Sequence, residues 1–311
     1  MVVCLLRITR AHYARQIHVS LQTRIIYCKG GVYIPESWRK SRFSTPNFNK
    51  KELFVVPATK FFDQLSFIGN EFIGCFMLET EKGLVLFDCL NQDEQSISIL
   101  ENGISDLGKN ICQLRAIIIS HGHGDHFGKA DYFQKKYGAN IYMSKIDYEF
   151  AKNMPKELHW DPIEFEVNHF LEDGEILDFG DIQVNAVFTP GHSPGCFSFL
   201  LPVTDEGRPH MMALWGGAGI MSNSNADDYL KSWKKFSEIC QKNGVDGEIA
   251  THPFLDMGVS RLEMIRNISD GIPNPFVLGE EGYRYYEKMF YDYALKHLQS
   301  KFDAHGDKHC T

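Results

Sequence analysis

The chain has 311 residues, 43% of them hydrophobic, with a formal net charge of −8 at pH 7. This composition predicts an ordinary globular protein with a sizeable core. The acidic balance disfavours nucleic acid as an electrostatic partner, and no apolar run is long enough to span a membrane, so the predicted partner is a small molecule.

The first 48 residues read apart from the rest. No acidic residue precedes Glu36, while Arg7, Arg10, Arg15, Arg24 and Lys29 are spread through the stretch. MVVCLL is too short, and too soon followed by Arg7, to form a secretory core. The arginine-rich pattern fits an organellar presequence only loosely, and an unstructured or peripheral extension is the favoured reading. SRFSTPNFNKK reads as a linker. Eight cysteines are scattered without paired spacing, which suggests thiols in a reducing compartment and a cytoplasmic location, with organellar or exported alternatives open. The predicted division is an extension over 1–48, a catalytic domain over 49–302 and a tail over 303–311. Nothing in the chain fixes an oligomeric state.

Alternating and β-branched runs predict strands at 65–69, 72–79 and 83–88, then a helix at 93–106. The third strand, GLVLFD, ends in Asp88, which reads equally as a turn residue or as a group that orients a neighbouring imidazole. LRAIIIS, Leu114 to Ser120, predicts a buried strand. HGHGDHFG follows at once and places His121, His123, Asp125 and His126 within six residues.

Neutral imidazoles and carboxylates are the usual ligands of zinc and similar ions. His121 and His123 are two apart, so in extended backbone they point the same way and can close on one ion. Gly122 and Gly124 let the chain turn. Asp125 and His126 then face elsewhere and suit a second ion close to the first.

Helices are predicted at 127–137 and 145–153, around a strand at 139–143. The loop from Pro155 to His169 carries Trp160, read either as a substrate-facing platform or as rim packing. After a strand at 182–188, TPGHSPG holds His192 on a rigid turn. Cys196 beside it reads as a small buried residue. Strands at 196–201 and 210–215 precede a helix at 226–243. Gly247 to Ala250 can form a short strand leading to His252 in ATHPFLD. Helices at 259–269 and 281–300 complete the pattern, and the stripe Tyr286, Phe290, Tyr293 and His297 reads as core packing.

From about Phe62 to Tyr293 the chain resembles the metallo-β-lactamase fold superfamily. GLVLFDC, HGHGDH, LEDGEILDFGDIQVNAVFTPGHSPG, MMALWGGAG and EIATHPF match in the expected order. The resemblance implies an α+β fold, a four-layer αββα sandwich, with two zinc ions at one sheet edge. It implies His121, His123 and His192 for the first ion and Asp125, His126 and His252 for the second. Many superfamily members bridge the metals with an aspartate in a Gly-Asp pair before the last ligand. Here LWGGAG puts Gly217 at that place, and Asp227 and Asp228 come too late to replace it. This pattern is similar to the third subclass of metallo-β-lactamases. It argues against the persulfide dioxygenases, and His123 argues against the flavodiiron proteins.

What the resemblance implies is a dizinc hydrolase in which metal-bound hydroxide attacks a carbonyl, with Asp125 orienting the nucleophile and passing on its proton. Opening of a β-lactam, a cyclic amide, is the first expectation. Hydrolysis of another ester, lactone or thioester is the alternative, and an inactive binding member is a minor one. Ser222 and Ser224 are candidates to hydrogen-bond a water on the second ion.

Overall fold

The computed structural model describes residues 26–28, 31–33, 53–221, 224–267 and 272–306. Of the predicted extension, only a short antiparallel hairpin falls within them, β1 (Ile26–Cys28) and β2 (Gly31–Tyr33). The linker and residues 307–311 lie outside the described residues.

The first sheet begins as an antiparallel meander of β3 (Val55–Lys60), β4 (Leu65–Asn70), β5 (Gly74–Thr80) and β6 (Gly83–Phe87). Helix α1 (Glu94–Asp106) then crosses over to β7 (Leu114–Ile118), which pairs parallel to β6. Parallel pairing needs such a crossover, and the chain repeats the device. Helices α2 (Gly124–Phe127) and α3 (Ala130–Tyr137) lead to β8 (Asn140–Met143), and α4 (Lys145–Lys152) leads to β9 (His169–Phe170). The seven strands lie in the order β3 to β9.

The second sheet runs β10 (Ile176–Asp178), β11 (Gln183–Phe188), β12 (Phe197–Asp205) and β13 (Arg208–Leu214), all antiparallel. After α5 (Ala226–Lys242), β14 (Gly247–Ile249) adds in parallel beside β13. Helices α6 (Gly258–Arg266) and α7 (Gly279–Gly306) follow. α7 runs past residue 302, so the predicted domain end falls inside a helix.

Period-two alternation decides the layers. Phe67, Phe76, Val85, Phe87 and Ile118 of the first sheet meet Val184, Ala186, Phe199, Leu201 and Leu214 of the second in one buried cluster. Their alternate neighbours, Cys75, Met77, Leu84, Leu86 and Ile117, face Leu100 and Ile104 of α1 and Phe133 of α3. On the far side, Val187, Leu200 and Ala213 lie under Phe236 of α5 and Tyr283 of α7. The result is helix, sheet, sheet, helix, as expected. Among the described residues no helix is long and apolar enough to cross a membrane. Cys75, Cys89, Cys112, Cys196 and Cys240 are free thiols.

Two predictions change. β3, β9 and β10 went unpredicted because they are short or irregular; Pro57 sits where the β3 register slips. The predicted helix 127–137 begins instead at Ala130, and α2 ends before it at Phe127, with a corner at Gly128, whose φ is 35°. A Cβ there would lie 2.2 Å from the Cys89 carbonyl oxygen. The corner tucks α2 against the end of β6 and thereby fixes the histidine-rich loop.

Candidate metal centre

The strand ends bring the candidate ligands to one edge. Ser120, just past β7, accepts a hydrogen bond from Phe197 N at the start of β12 (2.9 Å), and Gly74 N at the start of β5 donates to Thr251 O. These bonds draw together the loop after β7, the turn between β11 and β12, and the turn after β14. The backbone stays extended to His123, which takes the cap position of α2, so Asp125 and His126 ride on the first helical turn. That change of backbone gives the two halves of HGHGDH their two directions.

Two groups of ligand atoms result. His121, His123 and His192 form one, and Asp125, His126 and His252 the other, each with its ligand atoms within 4.8 Å of one another. His192 Nε2 lies 3.0 Å from His123 Nδ1 and 3.1 Å from His121 Nε2. His126 Nε2 lies 3.3 Å from His252 Nε2, and Asp125 approaches both at 3.8 and 3.6 Å. Nitrogens bound tetrahedrally at zinc–nitrogen distances of about 2.0–2.1 Å stand about 3.3–3.4 Å apart. The His121 and His126 rings, one from each group, are 3.8 Å apart.

The outer ring nitrogens fix the orientation. His192 Nδ1 meets Gly219 O at 2.5 Å, and His252 Nδ1 meets Phe72 O at 2.9 Å. A carbonyl only accepts, so both Nδ1 atoms carry the proton and both Nε2 lone pairs face inward. His126 Nδ1 meets Asp88 Oδ2 at 2.7 Å. Asp88 also accepts from Ser120 N and Oγ, and Ser120 Oγ lies 3.0 Å from His121 Nδ1. One fully buried carboxylate thus orients an imidazole in each group.

The donor set suits a metal. Burial lowers the pKa of His121, His123 and His252 and brings His192 down to about 4, so these rings are neutral ligands at pH 7. Burial also acts to lower His126, but Asp125 and Asp88 outweigh it and the net shift is upward. His123 Nε2 and Asp125 Oδ1 are buried without hydrogen-bond partners. An unpartnered buried carboxylate oxygen is costly, and a cation among these nitrogens removes the cost.

Residues 69–205 match the Metallo-beta-lactamase superfamily. That stretch holds all of the candidate ligands except His252. It is 26% identical to the hydroxyacylglutathione hydrolase of Francisella philomiragia over 61% of this chain and 65% of that protein. It is 24% identical to the exodeoxyribonuclease WalJ of Streptococcus pneumoniae over 59% of this chain and 66% of that one. The chain therefore spans just under two thirds of the length of these curated relatives. Among solved structures it resembles BJP-1, a subclass B3 metallo-beta-lactamase of Bradyrhizobium japonicum, with a TM-score of 0.70 and 23% identity, covering 82% of this chain and 98% of that one. At that identity the likeness establishes the fold.

Against the superfamily pattern, Gly217 is more than a missing carboxylate. A Cβ there would lie 2.5 Å from His192 Cβ and 2.9 Å from Cys196 Sγ. The close packing of the His192 loop leaves no room for any side chain at this point. The Ser224 hydroxyl accepts from Met221 N (2.8 Å) and lies 3.5 Å from His192 O, so it braces the first group's loop. Ser222 lies outside the described residues.

Trp160 covers the first group. Its ring lies 4.9 Å from that of His123, tilted by 30°, and a Cβ on Gly124 would strike it at 2.4 Å. The Gln92 side-chain amide both donates to Asp161 O and accepts from Asp161 N, each at 2.9 Å, which holds this loop in place. Phe72 and Phe254 stack at 5.7 Å beside His252.

Sequence reading missed Phe72 O and Gly219 O, because a backbone carbonyl leaves no side-chain signal. It also missed Asp147, a buried carboxylate that accepts from Gly122 N, Ser193 Oγ and Gly195 N. Burial pushes Asp147 up to about 6 despite these donors.

Proposed function

We propose that the protein is a metal-dependent hydrolase that holds two zinc ions and attacks the acyl carbonyl of a small molecule. His121, His123 and His192 would hold one ion, and Asp125, His126 and His252 the other. The observation that carries this reading is the orientation of the imidazoles: His121, His126, His192 and His252 each have an outer nitrogen against a hydrogen-bond partner, so their inner nitrogens converge. Bound zinc supplies a Lewis acid for a carbonyl oxygen and brings the pKa of a water toward about 7.

The chain's own residues do the rest. Asp125 offers two oxygens, one to its ion and one to receive the proton of the attacking water. Asp88 holds the His126 proton on Nδ1, which keeps Nε2 free for the ion. Trp160 walls the His123 side, and Phe72 with Phe254 walls the His252 side, so the substrate meets a centre flanked by aromatic faces.

A cyclic amide is the substrate class we put first. Two triads without a carboxylate between them, and a glycine packed too closely to accept one, fit the third subclass of metallo-β-lactamases that the sequence resembles. A thioester is the second reading, favoured by the similarity to a hydroxyacylglutathione hydrolase. The test is a chromogenic cephalosporin, a lactone and a glutathione thioester, assayed on one sample with its zinc measured. Two zinc ions per chain and preferential cephalosporin turnover are expected. Preferential thioester turnover would move the assignment to the second reading. Zinc without turnover of any of the three would favour a binding role, and a protein that takes up no zinc would end the metal reading.

A further inference from the structure

Asp147 occupies the first turn of α4, where Ser144 caps the helix. Its side chain is fully buried. Oδ2 accepts from Gly122 N at 2.8 Å and from Ser193 Oγ at 2.5 Å, and Oδ1 accepts from Gly195 N at 2.7 Å. Gly122 lies between His121 and His123, and Ser193 follows His192. The carboxylate therefore joins the two loops that supply the first triad. No Lys, Arg or His side chain among the described residues pairs with it.

The loops close on α4 more tightly than side chains would permit. A Cβ on Gly122 would lie 2.8 Å from Asp147 O, and one on Gly195 would lie 2.5 Å from Asp147 N. These glycines read in the sequence as turn formers. In the fold they are the contact points of a clamp. Asp88 does not serve this purpose, because its bonds reach His126 and Ser120 on one loop and stop short of the His192 loop.

We propose that Asp147 is the positioning residue of the first metal triad, fixing His192 against His121 and His123 by bonding both loops at once. The proposal rests on the zinc reading above. All three donors point at acceptor oxygens, which a carboxylate supplies and an amide does not. In Asp147→Asn one end becomes NH2, and in either orientation it faces a backbone N–H, of Gly195 or of Gly122. The clamp then loses a bond and gains a repulsion, while side-chain volume is unchanged.

Zinc affinity, read by competition with a chromophoric chelator, tests this in two backgrounds of the full chain. His252→Ala retains the first triad alone, and His192→Ala removes a first-triad ligand and leaves the second group whole. Asp147→Asn should weaken zinc binding by about 10- to 100-fold in the first background, the usual effect of losing a group that orients ligands. It should leave the second background unchanged, with wild-type circular dichroism before zinc is added. No change in the first background, or equal weakening in both, overturns the proposal. If Asp147→Asn does not fold, Ser193→Ala decides, since it removes one donor and leaves the carboxylate. A smaller weakening confined to the first triad supports the clamp, and none overturns it. A wild-type chain that binds no zinc would instead fell the proposed function, and this inference with it.

Discussion

His121, His123 and His192 are buried, and so are Asp125 and His126, whereas His252 of the second group keeps 16% of its side chain exposed. The first triad is gathered by contacts inside the fold: Gly219 O on His192, Ser120 on His121, and Asp147 across both loops. The second group leans on Asp88 for His126 and on the Phe72 carbonyl for His252, at the more open side. Under the proposed function, chemistry that consumes water and admits a substrate would belong at that open side, with the buried triad as a fixed anchor. Removing groups one at a time should separate the two roles.

The largest effect is expected from Asp125→Asn. The amide keeps the size of the side chain but loses its charge and replaces one of its two acceptor oxygens with an NH2 donor. Hydrolysis should fall by roughly 10²- to 10⁴-fold, the range for losing a positioned proton acceptor, while the unfolding midpoint holds. Steady-state turnover beside a denaturant titration measures both. Activity at the wild-type level would remove Asp125 from the mechanism.

Asp88→Asn should blur the contrast between the groups. Asp88 touches His126 directly and His121 through Ser120, so both should bind zinc about 10- to 100-fold more weakly. Chelator competition in the two single-site backgrounds measures this. An effect confined to one background would show that the Ser120 relay carries no weight.

Gly217→Ala should act on the buried triad alone. The new methyl would meet His192 Cβ at 2.5 Å, so the ring or the strand end must shift, at about 1–3 kcal/mol of stability. Thermal unfolding gives the stability change, and zinc competition should show the loss in the first triad only. Full retention of both would mean that the loop repacks freely, and the rigid-anchor description would fail.

These residues also show how far the sequence was legible. The candidate ligands of HGHGDH could be read because their spacing is local and strand and turn geometry bring them into two groups. His192 and His252 could be placed because both follow strand-like runs. The core strands were readable from alternation, while β3, β9 and β10 were too short or irregular to announce themselves. Asp147 was not legible, since an acidic residue in a first helical turn ordinarily signals only a helix start. Its partners lie 25 to 48 residues away, and only the packing of α4 against two loops brings them together. Gly217 was read as an absent ligand, yet the space that forbids a ligand there belongs to His192 and Cys196.

The smallest effect lies away from both groups and serves to isolate them. Glu287 of α7 is half-buried, and burial raises it to about 7 against hydrogen bonds from Ser237 and Tyr283. Its ordinary value is 4.5, so between pH 4.5 and 7 the folded chain holds a proton that the unfolded chain has released. The contribution of Glu287 to stability should therefore fall as pH rises through that window, opposite in sign to that of His121, His123, His192 and His252, which the fold holds neutral where the unfolded chain protonates them. The loss should be on the order of 1 kcal/mol once solvent screening of a partly exposed group is allowed for. Glu287→Gln stays neutral and should remove this contribution, seen as a wild-type-minus-variant stability difference that falls from pH 5.5 to pH 8 in denaturant unfolding of zinc-free protein. Whatever pH dependence of zinc retention survives in that variant then belongs to the histidines and to Asp147, which burial pushes up to about 6, and the two groups can be compared without Glu287 titrating beneath them. A difference that stays constant would place that titration elsewhere.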